Sequence, residues 1–395
     1  MYPHQVERLG QALEREGLRA LIATTAANIA YVTGFWSLSQ AVYQRTPVFA
    51  VYAPTGTALV LPVIDAPAAA AEGVEVDHVI TYGEFYLDFA ASPRGALAEV
   101  AGRTREWTRS PAPTAADALA AALAALDIRS GTVGLDDGQL GYDSWRRASE
   151  RLAPLTVLPA SSDFAEARMV KSPYEIECLE RALHIAEESA NVVIQMLKPG
   201  VTEREAVRRY EEAVAQRGAT PYATIIAMGE RAALPAAYPS DRALRAGDLI
   251  RLDLGCILKG FYSDLARTAV MGEPSERQQR VYEALQAAEN AAIDAVAAGA
   301  LAGTIFRRAI DTAQANGLPG YQRHHVGHGI GLEPYEPPVF ERGGDTELPM
   351  GAVLRIETPY YEVGWSGMNI KDTVLVIRGG GRVLNRSARG LVVLD

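Results

Sequence analysis

Two aspartates, a run of histidines and a strand-terminal glutamate are the residues of this chain best suited to chemistry. Leu249-Ile250-Arg251-Leu252-Asp253-Leu254-Gly255 alternates as a strand does, and so does the stretch from Phe261 to Thr268. A short link containing Gly260 joins them. A turn centred on Leu258-Lys259 predicts that Asp253 and Asp264 stand directly opposite each other, with Cβ atoms ~4.5–5.5 Å apart. Two carboxylates that close need a cation, a shared proton or solvent. An ordinary solvated sheet face is the alternative. Three of the six histidines, His324, His325 and His328, fall within five residues, and glycines flank His328 on both sides. Neutral imidazole is a common metal ligand and a common acid or base, and flanking glycines let backbone approach closely. A histidine-containing loop with no ligand is the alternative here. Glu357 ends the strand-like run Val353 to Glu357, and Gly367 to Val376 reads as one further strand.

The elements that must position these residues follow from pattern. The chain has 395 residues, 48% of them hydrophobic and 22% charged, which suits two domains with sizeable cores. A helix ending at Gly17, a strand at Ala20 to Ala23, β-rich runs at 46–52 and 58–63, an Ala/Leu helix over 112–127 and a strand at Thr132 to Asp136 predict an α/β domain. A boundary falls near 160–172, giving domains 1–165 and 166–395. After it, Ile176, Leu179, Leu183, Ala186, Ala190, Val193 and Leu197 form one helical stripe. Thr202 with Glu205 then opens another helix through a capping box. The net charge of −10 makes nucleic acid or an anionic membrane a poor partner. Two cysteines far apart, Cys178 and Cys256, fit a reducing compartment. With no signal-peptide layout and no apolar run of membrane-spanning length, a cytoplasmic location is expected.

Together these stretches resemble the pita-bread metallohydrolase superfamily, best its two-domain prolidase/aminopeptidase P/creatinase branch. Residues 7–35 look like the creatinase-type N-terminal domain and 168–187 like the start of the catalytic domain. The resemblance implies an α/β N-terminal domain followed by an α+β pita-bread catalytic domain, commonly as a homodimer. It also implies metal ligands at Asp253 in RLDLG, Asp264 in FYSDLART, His328 in GHGIGLE and Glu357 in LRIETP. The family's fifth ligand, a glutamate bridging two metals, falls on Lys371. Of three outer family histidines, one is kept as His324. One is replaced by Tyr335, and one falls on Ala236 and Ala237.

Three carboxylates and the Lys371 ammonium leave two negative charges, which one dication neutralises. The expectation is therefore one divalent ion per chain (Zn2+, Mn2+ or Co2+) on Asp264, His328 and Glu357, with Asp253 nearby or as a further ligand. Metal-bound water would be the nucleophile, Glu357 or Asp253 its proton acceptor, and Tyr335 or His324 the stabiliser of the oxyanion. Lys371 would repel a substrate ammonium, and Arg45, Arg323 and His324 would draw a carboxylate. The leading functional expectation is a metal-dependent exopeptidase on short peptides that anchors the substrate C-terminus, a carboxypeptidase or dipeptidase. The alternatives are a Xaa-Pro dipeptidase or aminopeptidase P, a metal-free creatinase-like amidinohydrolase, and a non-catalytic binding homologue.

Overall fold

A computed structural model describes residues 3–43 and 46–395. Contacts divide the chain into two units, 1–168 and 169–395. Arg45 lies outside the described residues.

The first unit is a six-stranded sheet with helices. Its strands are β1 (Leu21–Ala23), β2 (Phe49–Ala53), β3 (Gly56–Pro62), β4 (His78–Tyr82), β5 (Thr132–Leu135) and β6 (Thr156–Pro159), in the order β4-β3-β2-β1-β5-β6. The β1–β2 and β2–β3 pairs are antiparallel, and the β1–β5, β3–β4 and β5–β6 pairs parallel. Leu21, Ile22 and Ala23 are fully buried, as a central strand requires. The Ala/Leu helix spans Ala115–Ala125 and sends Ala118, Leu119, Ala122 and Leu123 into the same core as Ile22, Val51, Val60 and Val133.

The second unit holds the residues of interest. Its strands are β7 (Thr220–Met228), β8 (Leu249–Leu258), β9 (Phe261–Tyr262), β10 (Leu265–Met271), β11 (His325–Gly329), β12 (Glu336–Glu341), β13 (Val353–Glu357), β14 (Tyr360–Glu362), β15 (Ser366–Met368), β16 (Lys371–Ile377), β17 (Gly380–Val383) and β18 (Val392–Leu394). The main sheet runs β12-β11-β13-β16-β10-β8-β7. The helices Pro173–Met196 and Glu203–Gln216 start at reciprocal capping boxes, Ser172 with Glu175 and Thr202 with Glu205, satisfying backbone donors the first turn leaves open. The helices Glu276–Asp294 and Ala302–Ala315 pack with Leu354, Ile356, Val374 and Val376 of the sheet into one buried core.

The structure corrects two expectations. Leu258 pairs with Phe261, so the hairpin turn centres on Lys259-Gly260, one residue later than expected. Both have positive φ, 52° and 82°, the backbone of a type I′ turn, and glycine takes the second position without strain. In consequence Asp253 faces Ala266, not Asp264. The stretch 367–376 is not one strand: it breaks between β15 and β16. There Thr268 Oγ1 both accepts from the Asn369 N–H and donates to its carbonyl, and the Thr358 N–H is spent on the Ile370 carbonyl.

Candidate active site

Sheet register brings the acids together. Glu357 on β13 pairs with Lys371 on β16, Lys371 with Ala266 on β10, and Ala266 with Asp253 on β8. Lys371 therefore stands mid-row between two carboxylates. Asp264 precedes β10 by one residue and, two positions from Ala266, shares its face. The Lys371 ammonium donates to Asp253 Oδ1 at 2.6 Å and Asp264 Oδ1 at 2.9 Å, and lies 3.6 Å from Glu357 Oε2. Its side chain is only 4% exposed, while the three acids keep between 9 and 16%. The cluster is thus the nearly dry floor of a site that still meets solvent.

Two further cations enter from the rows on either side. Arg355, paired with His328 across β11–β13, bridges Asp264 and Glu357, donating to Glu357 Oε1 at 2.9 Å. Arg251 lies 3.3 Å from Asp253 Oδ2 and spends its other nitrogens on the carbonyls of Ala232, Leu234 and Pro235. Asn369 Nδ2 approaches the same Asp253 oxygen at 3.3 Å. Burial alone would push the Glu357 carboxyl up, but the Arg355 guanidinium and the Lys371 ammonium outweigh it and hold the group well below the usual carboxylate range. Asp253 is likewise lowered, its burial overcome by Lys371 and Arg251.

His328 is fully buried, and its two glycine neighbours explain how. A Cβ on Gly327 would run into the Arg355 carbonyl, and one on Gly329 into the Pro337 carbonyl. His328 Nδ1 lies 2.7 Å from the Gly329 carbonyl. A carbonyl only accepts, so Nδ1 carries the proton and Nε2 holds a lone pair. Nε2 is buried with no hydrogen-bond partner. Burial pushes the imidazole down to about 4, so it is neutral at ordinary pH. The Tyr335 ring lies against it at 3.6 Å, with Tyr335 itself half exposed. His325 accepts from the Gly327 N–H and is lowered by burial. His324 is exposed and meets His325 edge to face at 4.2 Å. Arg323 donates through Nε to the Pro359 carbonyl at 2.8 Å, and its guanidinium lies 5.0 Å from the Tyr361 ring centroid.

Of the residues singled out from sequence, Asp253, Asp264, Glu357 and Lys371 form one cluster, with His328 in the next row. His324, Arg323 and Tyr335 belong to the same strand system. Arg251 and Arg355 were missed, although a signal existed: each lies two residues before an acid on a strand, hence on the same face.

Comparisons with known proteins identify the family. Residues 177–378, just over half of the chain, match metallopeptidase family M24, and residues 5–170 match the creatinase/prolidase N-terminal domain. The chain belongs to family M24. It is 33% identical to a Xaa-Pro dipeptidase of Pyrococcus furiosus over 66% of this chain and 75% of the relative. Among solved structures, a dipeptidase of Pyrococcus horikoshii superposes with a TM-score of 0.81 at 26% identity, covering 99% of this chain and all of the other. A Xaa-Pro dipeptidase of Bacillus anthracis gives 0.83 at 24% identity over 99% of both, a likeness of fold. The chain is thus a peptide-bond hydrolase by family, with an α/β N-terminal domain and a pita-bread catalytic domain. No helix among the described residues is long and apolar enough to cross a membrane.

M24 metallopeptidases use divalent metals, and the donors present here do not fit one as they stand. His328 Nε2 is a free lone pair, as a ligand should be. The carboxylates are not free: three of them face three fixed cations, Lys371, Arg251 and Arg355. Among the described residues, no three His, Cys, Asp or Glu side chains are arranged to hold a metal ion. The expectation of one dication rested on a charge count that omitted both arginines. With them the cluster is neutral, and a dication would leave two uncompensated positive charges in a poorly solvated place.

Proposed function

We propose that the chain hydrolyses the amide bond of short peptides and reads the substrate's free carboxylate. The observation that carries this is Arg323. Its guanidinium is steadied by the Pro359 carbonyl and by the rings of Tyr321 and Tyr361. No acid is paired with it among the salt bridges of the described residues, unlike the arginines of the cluster. A fixed guanidinium without a carboxylate is suited to a bidentate carboxylate ligand. The exposed His324 beside it is a second donor.

The chemistry expected of this chain's own residues departs from the sequence expectation in one respect. Glu357 and Asp253 are poor proton acceptors, because their cations hold them ionised and occupied. The acceptor left is His328, whose Nε2 lone pair has no competing partner, although burial weakens it as a base. Tyr335, whose ring lies against that of His328, is the hydroxyl-bearing side chain assigned to the developing oxyanion.

End-group preference tests the reading. On matched di- and tripeptides, N-acetylated substrates should be cleaved and C-terminal amides should not. Xaa-Pro dipeptides, the substrates named for the relatives, are the first set to try. Arg323→Ala should raise KM about 10- to 150-fold, the ~1.5–3 kcal/mol of a lost charge-assisted hydrogen bond, with kcat little changed. Efficient cleavage of amidated peptides with no cleavage of acetylated ones would overturn carboxylate reading.

A further inference from the structure

The cation arrangement goes beyond this reading and does not depend on it. In a site built for a dication, carboxylate oxygens converge on a vacant point and the surrounding groups keep them ionised until the metal arrives. Here the point is filled. Lys371 Nζ is within 2.6–3.6 Å of all three acids, closer to two of them than an ordinary surface ion pair needs to be. Arg355 ties two of the same acids together from the side, and Arg251 with Asn369 takes the second oxygen of the third. The three cations are themselves buried, at 0, 4 and 11% side-chain exposure for Arg251, Lys371 and Arg355. None can swing into solvent without leaving a desolvated carboxylate behind. Lys371 is further confined by its strand, since it is hydrogen-bonded in the sheet between β10 and β13.

We infer that Lys371, Arg355 and Arg251 are permanent counter-cations of the acid cluster, so that this M24 chain folds and keeps its site assembled without a resident divalent metal. A metal would have to displace an ammonium or guanidinium already bound at hydrogen-bond distance. The net charge of the cluster would then rise from zero to positive. The role of the acids changes accordingly: they no longer hold a Lewis acid but fix three cationic side chains, and through Arg355 the strand opposite His328.

The test uses the full, untagged chain. Protein expressed with supplemental Mn2+, Zn2+ or Co2+ and then dialysed should carry far less than one ion per chain by inductively coupled plasma mass spectrometry. Its thermal midpoint should not move with added Mn2+ or with EDTA, whereas a ligand that binds the folded state shifts it. Lys371→Glu combined with Arg355→Gln removes two positive charges and adds a carboxylate. That variant should acquire stoichiometric metal and gain thermal stability when Mn2+ is added. If it does not fold, the single change Lys371→Met should still bind divalent metal more tightly than the parent. A parent chain that retains one ion or more through dialysis, or that loses stability in EDTA, overturns the inference. So do variants whose metal affinity equals the parent's. None of these readouts depends on which peptides are cleaved, so failure here and failure of the carboxylate reading are distinguishable.

Discussion

Two ion clusters lie on opposite faces of strand β16, and neighbouring residues belong to them. Lys371 points into the cluster of Asp253, Asp264 and Glu357. Asp372, the next residue, points the other way and pairs with Arg267 at 2.8 Å and with Arg389. Arg389 also reaches Glu289 at 3.0 Å on the helix Glu276–Asp294. The rear cluster buries its acids completely: Asp372 and Glu289 have no exposed side-chain surface. It anchors the C-terminal segment, since the Arg389 carbonyl accepts from Tyr282 and Gln286 and Arg267 donates to Ser387. The front cluster keeps up to 16% exposure at its acids and lies beside an unpartnered imidazole. Both clusters compensate charge with side chains. Only the front acids keep contact with solvent, so similar chemistry buries its acids on one face and leaves them reachable on the other.

That contrast makes predictions that differ between the faces. The largest effect belongs to the rear. Asp372→Ala leaves the buried Arg267 and the partly buried Arg389 without their shared acid and should cost about 3–5 kcal/mol of unfolding free energy in a urea titration. Glu357→Gln at the front should cost less, about 1–3 kcal/mol at pH 7, because the site meets solvent. A front-face loss equal to the rear one would erase the distinction.

The two faces should also answer pH with opposite sign. Asp253 and Glu357 are lowered in the folded state. Their contribution is therefore present above the unfolded carboxyl values of about 4 and is lost as pH falls through the folded ones. Burial, with Asp372 adding to it, raises Glu289 well above its ordinary value. Its contribution is present below an unfolded value of about 4.3 and declines as pH rises towards the folded one. Glu357→Gln should thus lose its effect on acidification. Glu289→Gln should be the smallest change, within about 1 kcal/mol at low pH, and should become relatively favourable as pH rises. Parallel urea titrations at several pH values check both. Matching pH trends for the two variants would contradict the assignment.

Much of this was legible in the sequence. Strand alternation around Asp253 and Glu357, the glycines around His328 and the capping boxes at Ser172 and Thr202 each encode local geometry, and the unusual Lys371 could be read against the resemblance. The hairpin register was off by one residue because a two-residue I′ turn depends on which residues take positive φ, and Lys259 did so as well as Gly260. Arg251 and Arg355 escaped because their significance lies in three-dimensional neighbours, although the two-residue period already put them beside the acids. The rear cluster was invisible from sequence: Glu289 is one acid among several on an amphipathic helix, and only tertiary packing buries it.

A lysine ammonium holds the place among the acids that a metal would otherwise need. The most direct measurement is a crystal structure of the full chain grown in excess Mn2+, with data collected at the manganese absorption edge. No anomalous peak is expected between Asp253, Asp264 and Glu357, and density is expected for Lys371 Nζ contacting the two aspartates. A manganese peak at that position, with Lys371 turned away, would contradict it.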